Sequence, residues 1–281
     1  MLGDTLDYWL LKTLAHRRNI ATEAKLDARA AATSPQAFDA QMPKLQKLLR
    51  RFGEHLPVDA GKSYLDISCG TGELTLALAG MGAGRITGVD FLPRSIDTAR
   101  AHAARIGAAN VSFACADLHE WQPPKKYDVL LSFDAFEHID DPRAFLLRMK
   151  ALLAPGGVAV VCFGPLFHSP FGDHMWGFFR VQLPWRGVLF SEGAMLRVRR
   201  ECFRPTDPAR RLSEIAGGLN RMRYSEFIGH VHATGWAFDF LAVNTFLRQG
   251  SLARKVSDGL ARLPGIRDYV PHNVYAVLKP A

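Results

Sequence analysis

Between Ser63 and Phe163 the chain alternates short apolar runs with helix-compatible segments, and few folds accept that pattern. The runs are Ser63 to Ile67, Arg85 to Asp90, Asn110 to Asp117, Tyr127 to Asp134 and Val158 to Phe163. Each is strand-length, and the intervening segments are long enough to cross back over a sheet, so successive strands are expected to run parallel. Repeated five times, this predicts a doubly wound α/β sheet with helices on both faces. The first joint, Ser68-Cys69-Gly70-Thr71-Gly72-Glu73, places two glycines two residues apart between a strand and a helix that runs to Ala79. Glycine accepts positive φ and has no Cβ to hold a ligand away from the backbone, and the helix start adds unpaired N–H groups.

The acids of these strands narrow the ligand. Asp66, inside the first strand, would repel a diphosphate and suits an ammonium or sulfonium, which argues against NAD. Asp90 ends the second strand, where a carboxylate can accept hydrogen bonds from both ribose hydroxyls of an adenosine, with Phe91 next in line for the adenine. Asp117 ends the third strand, placed to accept from an adenine amino group beside the backbone N–H of Leu118. A single strand-terminal Asp is commonly a turn former. Three at the same sheet edge point to a nucleoside site.

The segment Asp66-x-Ser68-x-Gly70-x-Gly72 resembles motif I of the class I S-adenosylmethionine (SAM)-dependent methyltransferases, with Ser68 standing where that motif has its first glycine. Phe136-Glu137-His138-Ile139, followed by Asp141-Pro142, resembles the segment after the fourth strand in small-molecule members of that family. The resemblance covers about residues 60–163. It implies SAM as cofactor and a Rossmann-like seven-stranded sheet, mostly parallel with the last strand antiparallel. It also implies cofactor contacts from Asp66, Ser68, Gly70, Gly72, Asp90, Phe91, Asp117, Leu118, Phe133 and Asp134. The expected organisation is one domain over 1–281. Residues 1–60 form a helical lid, 61–163 the SAM-binding core, 164–223 a substrate-side insertion and 224–281 the closing strands.

The insertion is expected to select the substrate, because an excursion from the ligand end of a strand lies over the pocket. It carries ten of the chain's basic side chains and five acidic ones, the main source of the net charge of +8. Phe167, His168, Phe171, Trp176, Phe179 and Trp185 are the candidate substrate residues, and a flap that only seals the core is an equal reading. His138 and His174 are the candidate proton acceptors, since histidine titrates near neutral pH.

Two classes of function compete. One is methyl transfer to an O, N or C atom of a small, aromatic or acidic molecule. The other is a nucleic-acid methyltransferase or SAM-binding module using the basic insertion. Ser132-Phe133-Asp134-Ala135 does not match the Asn/Asp-Pro-Pro-aromatic run of nucleic-acid amino methyltransferases, which holds a flipped-out base. Glu137 stands alone where protein arginine methyltransferases pair two glutamates, and no metal-binding Asp-Asp-Asn set is found. A small molecule is therefore preferred, with no metal and no membrane span.

Before residue 63 the expectation is helical. Leu6, Leu10, Leu11 and Leu14 mark one stripe and Leu45, Leu48, Leu49 and Phe52 another, with interruptions at Ser34-Pro35 and Met42-Pro43. Glu192 to Arg223 reads as helix, Tyr224 to Thr234 as another, and Trp236 to Asn244 and His272 to Lys279 as strands. The four cysteines lack metal-ligand spacing, and three lie in or beside predicted strands, which suggests buried free thiols in a cytoplasmic protein.

Overall fold

The computed structural model describes residues 2–16, 35–175, 177–205, 208–214, 219–245, 247, 251–261 and 263–281. Helices α1 (Leu2–Leu14) and α2 (Pro35–Leu49) come first, and a 3-10 segment (Arg50–His55) leads towards the sheet. Then come β1 (Ser63–Ile67), α3 (Glu73–Ala79), β2 (Arg85–Asp90), α4 (Pro93–Ile106), β3 (Val111–Cys115), β4 (Tyr127–Phe133), α5 (Pro142–Leu152) and β5 (Leu153–Phe163). The remainder supplies α6 (Arg186–Leu189), α7 (Glu192–Cys202), α8 (Tyr224–Ala233), β6 (Trp236–Asn244), α9 (Leu252–Leu260) and β7 (Asn273–Pro280).

The seven strands lie in the order β3-β2-β1-β4-β5-β7-β6, with β7 antiparallel to both β5 and β6 and the other pairings parallel. The order reverses between β1 and β4. At such a reversal the connections leave for opposite faces, and a crevice opens outside the carboxyl ends of the strands. Local chemistry fixes the helices around it. Asp141 caps α5 by accepting from the N–H groups of Arg143 and Ala144, with Pro142 at the first helical position. Gly107, at φ +67°, closes α4.

Apolar clusters cover both faces of the sheet. One sets Phe136, Phe145, Met149, Phe227 and Trp236 against β1, β4 and β5, and the other sets Leu49, Phe52, Leu74 and Leu78 against the opposite face. A separate cluster joins Tyr8, Leu11 and Ala15 to Phe178, Phe179, Met195 and Val198.

Several expectations are corrected. The buried face of α1 is Tyr8 and Leu11, while Leu6 and Leu10 remain exposed. Pro43 lies inside α2 and does not interrupt it. An interior proline costs about 3 kcal/mol, whereas fully burying a large apolar side chain gains about 1.5–3 kcal/mol. With Phe38 and Leu49 both buried on either side of Pro43, the packing outweighs the proline. The link from β3 to β4 holds turns and no helix, because Pro123-Pro124 interrupts it. The helix begun at Glu192 ends at Cys202, and Pro205 stands soon after. β5 begins earlier than expected, at Leu153, which pairs with Tyr127 across an irregular register. Cys69 and Cys162 are buried, but Cys115 is exposed, since β3 is the sheet's edge strand. No helix among the described residues is long and apolar enough to cross a membrane.

Candidate functional site

Two cavities open at the carboxyl ends of the strands, and Ser68 lines both. The first, about 130 Å³, is bounded by Ser68, Asp90, Phe91, Asp117, Leu118 and His119, with Ile139 and Phe145 behind. Asp90 is buried at the tip of β2. Its Oδ2 accepts from the Gly70 N–H at 3.0 Å and its Oδ1 from the Leu92 N–H at 2.9 Å. Each oxygen keeps a lone pair for a ligand hydroxyl. Asp117 Oδ1 accepts from the His119 N–H at 2.8 Å, which steadies the turn.

The glycine-rich joint divides its work. Gly70 has φ +52°, and a Cβ there would meet no atom within 4 Å, so the open space in front of it is available to a ligand. Gly72 lines neither cavity. A Cβ on it would come within 2.9 Å of the Ala99 Cβ and the Phe113 ring. Its lack of a side chain lets the turn pack on α4 and β3. Ser68 holds φ +59°. That left-handed conformation costs a non-glycine residue on the order of 1–2 kcal/mol, and the hydroxyl stands at the junction of the cavities.

The second cavity, about 180 Å³, is lined by Asp66, Glu73, Phe133 and Asp134, with Gln41, Leu45 and Leu48 of α2 as one wall. Among the described residues, three of those lining it are acidic and none is basic. Desolvation pushes the Asp66 carboxyl up to about 7, further raised by Asp90 and Glu73 and opposed by the Thr75 hydroxyl, which donates to Oδ2 at 2.6 Å. Burial also raises Asp134. Such a chamber favours a cation, which restores to these carboxylates the charge stabilisation that burial removes.

Beyond the end of β4, the His138 and His174 rings stand edge to face with centroids 5.8 Å apart, so the structure brings the two candidate bases together. His174 Nε2 lies 3.2 Å from the Pro165 carbonyl, which can only accept; Nε2 therefore carries the proton and Nδ1 the free lone pair. Desolvation lowers the His174 pKa, so the ring is neutral at physiological pH. Three neighbours were missed as site residues in the sequence. Glu137 is buried, pushed up to about 7 by desolvation, with Oε1 accepting from the Gly164 N–H and Oε2 without a partner among the described residues. His272, lowered to about 4 by burial and by His174, faces the Ser169 hydroxyl across 3.2 Å. An acid directly beside His138 was the available signal for Glu137. Nothing local marks Ser169 or His272, which meet across 103 residues.

The flap departs most from expectation. Among the described residues, no candidate substrate ring lines either cavity. Phe167 is buried with Leu196, Leu212 and Leu219, and Phe179 packs under α1 and α7. His168 stands edge-on to Phe167 and Tyr269, its Nδ1 buried. Phe171 is half-buried, and Trp176 lies outside the described residues. Trp185 donates its indole N–H to the Tyr269 carbonyl at 2.8 Å. Arg186 is buried and forks onto Asp173 at 2.7 and 2.9 Å, and its guanidinium covers the Phe179 ring, which holds that ring in the core.

Residues 58–164 match the family model of a methyltransferase domain. Over 102 residues the chain is 36% identical to a ubiquinone biosynthesis O-methyltransferase of Bradyrhizobium sp. (strain ORS 278), covering 36% of this chain and 40% of that one. The protein of the same name from Neisseria meningitidis serogroup A is 36% identical over 101 residues, 35% of this chain and 42% of its own. The chain thus spans about two fifths of the length of these curated relatives. Among solved structures, an S-adenosylmethionine-dependent methyltransferase from Mesorhizobium loti aligns over 85% of this chain and 97% of its own, at 17% identity and a TM-score of 0.54. Phosphoethanolamine N-methyltransferase 2 of Haemonchus contortus, in complex with S-adenosyl-L-methionine, aligns over 85% and 53%, at 20% identity and a TM-score of 0.55. Both are likenesses of fold.

Proposed function

We propose that the chain methylates an oxygen atom of a small molecule, proceeding from the premise that residues 58–164 are a class I S-adenosylmethionine-dependent methyltransferase domain. The observation that carries this reading is the pair of cavities joined at Ser68, one ending on the Asp90 carboxylate and the other walled by three acids. An adenosine with its ribose on Asp90 fits the first, and a chain bearing an ammonium fits the second, with the open face of Gly70 between them. When bound, the cofactor supplies a methyl group on a positively charged sulfur, open to in-line attack by an oxygen.

The chain's own part is alignment and proton handling. The Pro165 carbonyl fixes the His174 tautomer and leaves Nδ1 to take the acceptor's proton, with His138 beside it. Burial keeps His174 neutral, so it is ready as a base at pH 7. Oxygen as the acceptor atom is supported by this base and by the O-methyltransferase names of the relatives. Helix α2 serves as a lid on the second cavity, of which it forms a wall. Four of the ten arginines of 164–223 meet acids of the same chain: Arg186 with Asp173, Arg197 with Glu201, Arg221 with Glu192 and Arg223 with Glu226. The preference for a small molecule over nucleic acid rests on the residues after β4, Ser132-Phe133-Asp134-Ala135, and the four free thiols agree with a reaction in the cytoplasm.

Titration calorimetry with SAM and S-adenosylhomocysteine tests the cofactor, and transfer of labelled methyl to a panel of phenols and catechols tests the acceptor. Binding of both nucleosides is expected, and none of NAD. Failure of SAM and S-adenosylhomocysteine to bind would remove the proposal.

A further inference from the structure

A hollow of about 490 Å³ lies between α9 and the flap, away from both cavities, and its lining is almost wholly apolar: Pro170, Trp185, Leu252, Val256, Leu260 and Val270. Leu252, Val256 and Leu260 recur every four residues, so they form one face of α9. That face is not consumed by packing, since the three side chains are 77%, 55% and 38% exposed. Opposite them, the indole of Trp185 is fixed by its bond to the Tyr269 carbonyl, which satisfies its one polar atom and leaves the ring as an apolar wall. The volume falls within the range of small-molecule sites and the shape is concave, which suits a ligand chain.

The hollow shares a wall with the histidine cluster. Pro170 follows Ser169, whose hydroxyl faces His272 at 3.2 Å. Val270 precedes His272 by two residues, and the His272 carbonyl accepts from the Leu166 N–H at 2.8 Å. His272 in turn stands close enough to His174 to lower its own pKa. The same two stretches of backbone therefore carry both walls of the hollow and members of the histidine cluster.

We propose that this hollow receives the aliphatic chain, alkyl or prenyl, of an amphiphilic methyl acceptor whose polar head lies at His174. The position of the head rests on the methyltransferase reading; the binding of the chain does not.

The test uses the full chain and the neutral fluorophore N-phenyl-1-naphthylamine, with 1-dodecanol as competitor, beside SAM calorimetry on the same samples. The variant V256E/L260E places two carboxylates in the hollow at exposed positions, where the fold tolerates them. Saturable probe binding that dodecanol displaces and the variant weakens at least tenfold, with SAM affinity unchanged, is the expected result. Equal probe affinity in the variant, or no saturable binding to the wild type, overturns the proposal. So does sedimentation of the wild type but not the variant with phosphatidylglycerol vesicles while dodecanol displaces nothing, because the α9 face would then meet a membrane. Probe binding lost in the variant together with no SAM binding in either protein supports the hollow and removes the methyltransferase reading instead.

Discussion

Replacing Asp66 with Asn separates what this carboxyl does to the fold from what it does for the ligand. The Asn amide oxygen can still accept from the Thr75 hydroxyl, so shape and hydrogen bond persist while the charge is lost. In the folded protein the Asp66 carboxyl titrates at about 7, against 3.8 for the ordinary group. The folded state therefore holds a proton between pH 4 and 7 that the unfolded chain has released. Wild-type stability from this group falls as pH rises across that window and is flat above it. Three pKa units at 1.36 kcal/mol each amount to about 4 kcal/mol of destabilisation at pH 8. At pH 5 the same arithmetic leaves about 2 kcal/mol, so the advantage of Asp66→Asn should grow by roughly 2–3 kcal/mol from pH 5 to pH 8. Glu137 tilts the wild-type curve the same way, while His272, lowered to about 4, tilts it oppositely. The difference between variant and wild type removes both. Urea unfolding at the two pH values reads that difference, and calorimetry reads the cost: loss of a charge-assisted contact to the ammonium, about 1.5–3 kcal/mol, weakens SAM binding roughly ten- to hundredfold. A stability gap that does not change between pH 5 and 8, or SAM affinity equal to wild type, would refute the reasoning.

Asp90→Ala removes the acceptor for both ribose hydroxyls and should weaken S-adenosylhomocysteine binding by well over tenfold, measured by calorimetry. His174→Gln should lower turnover without unfolding the protein. The acid limb of the wild-type kcat/KM profile should lie below pH 6.5, because burial depresses that histidine, and the variant should lack the limb. Arg186→Met strands the buried Asp173 and should cost about 3–5 kcal/mol in urea unfolding. Ser68→Gly relieves the left-handed backbone and should raise stability by about 1 kcal/mol, read by thermal unfolding.

The parts of this molecule built from neighbours in the chain were legible in the sequence. Period and length marked β1 to β5, and the acids at 66, 90 and 117 arrived at one sheet edge because parallel strands all end on the same side. Asp141-Pro142 announced the start of α5 through capping chemistry that needs only adjacent residues. The antiparallel β7 came from family resemblance, since a short apolar run carries no information on direction. The flap was only partly legible for a physical reason. Its rings are apolar, and composition cannot distinguish a ring that lines a cavity from one that fills a core. For Phe179 the core is settled by the Arg186–Asp173 pair, thirteen residues apart and buried together, which a sequence displays only as two charges. His272 stayed hidden because its partners lie on segments about a hundred residues earlier.

The placement of β7 between β5 and β6 bears on how the protein is made. A ribosome delivers β6 before β7, its partner in the sheet, so a growing chain carries β6 without that partner and the Ala159–Phe163 edge of β5 open to other chains. Insertion of Asn273–Pro280 closes both edges at once and carries His272 into place beside Ser169. Every residue of the Asp66–Asp134 cradle has been synthesised by then. On the function proposed above, translation yields the residues assigned to the cofactor early and His272 last, and a nascent chain stalled before residue 273 would be a half-sheet with open strand edges.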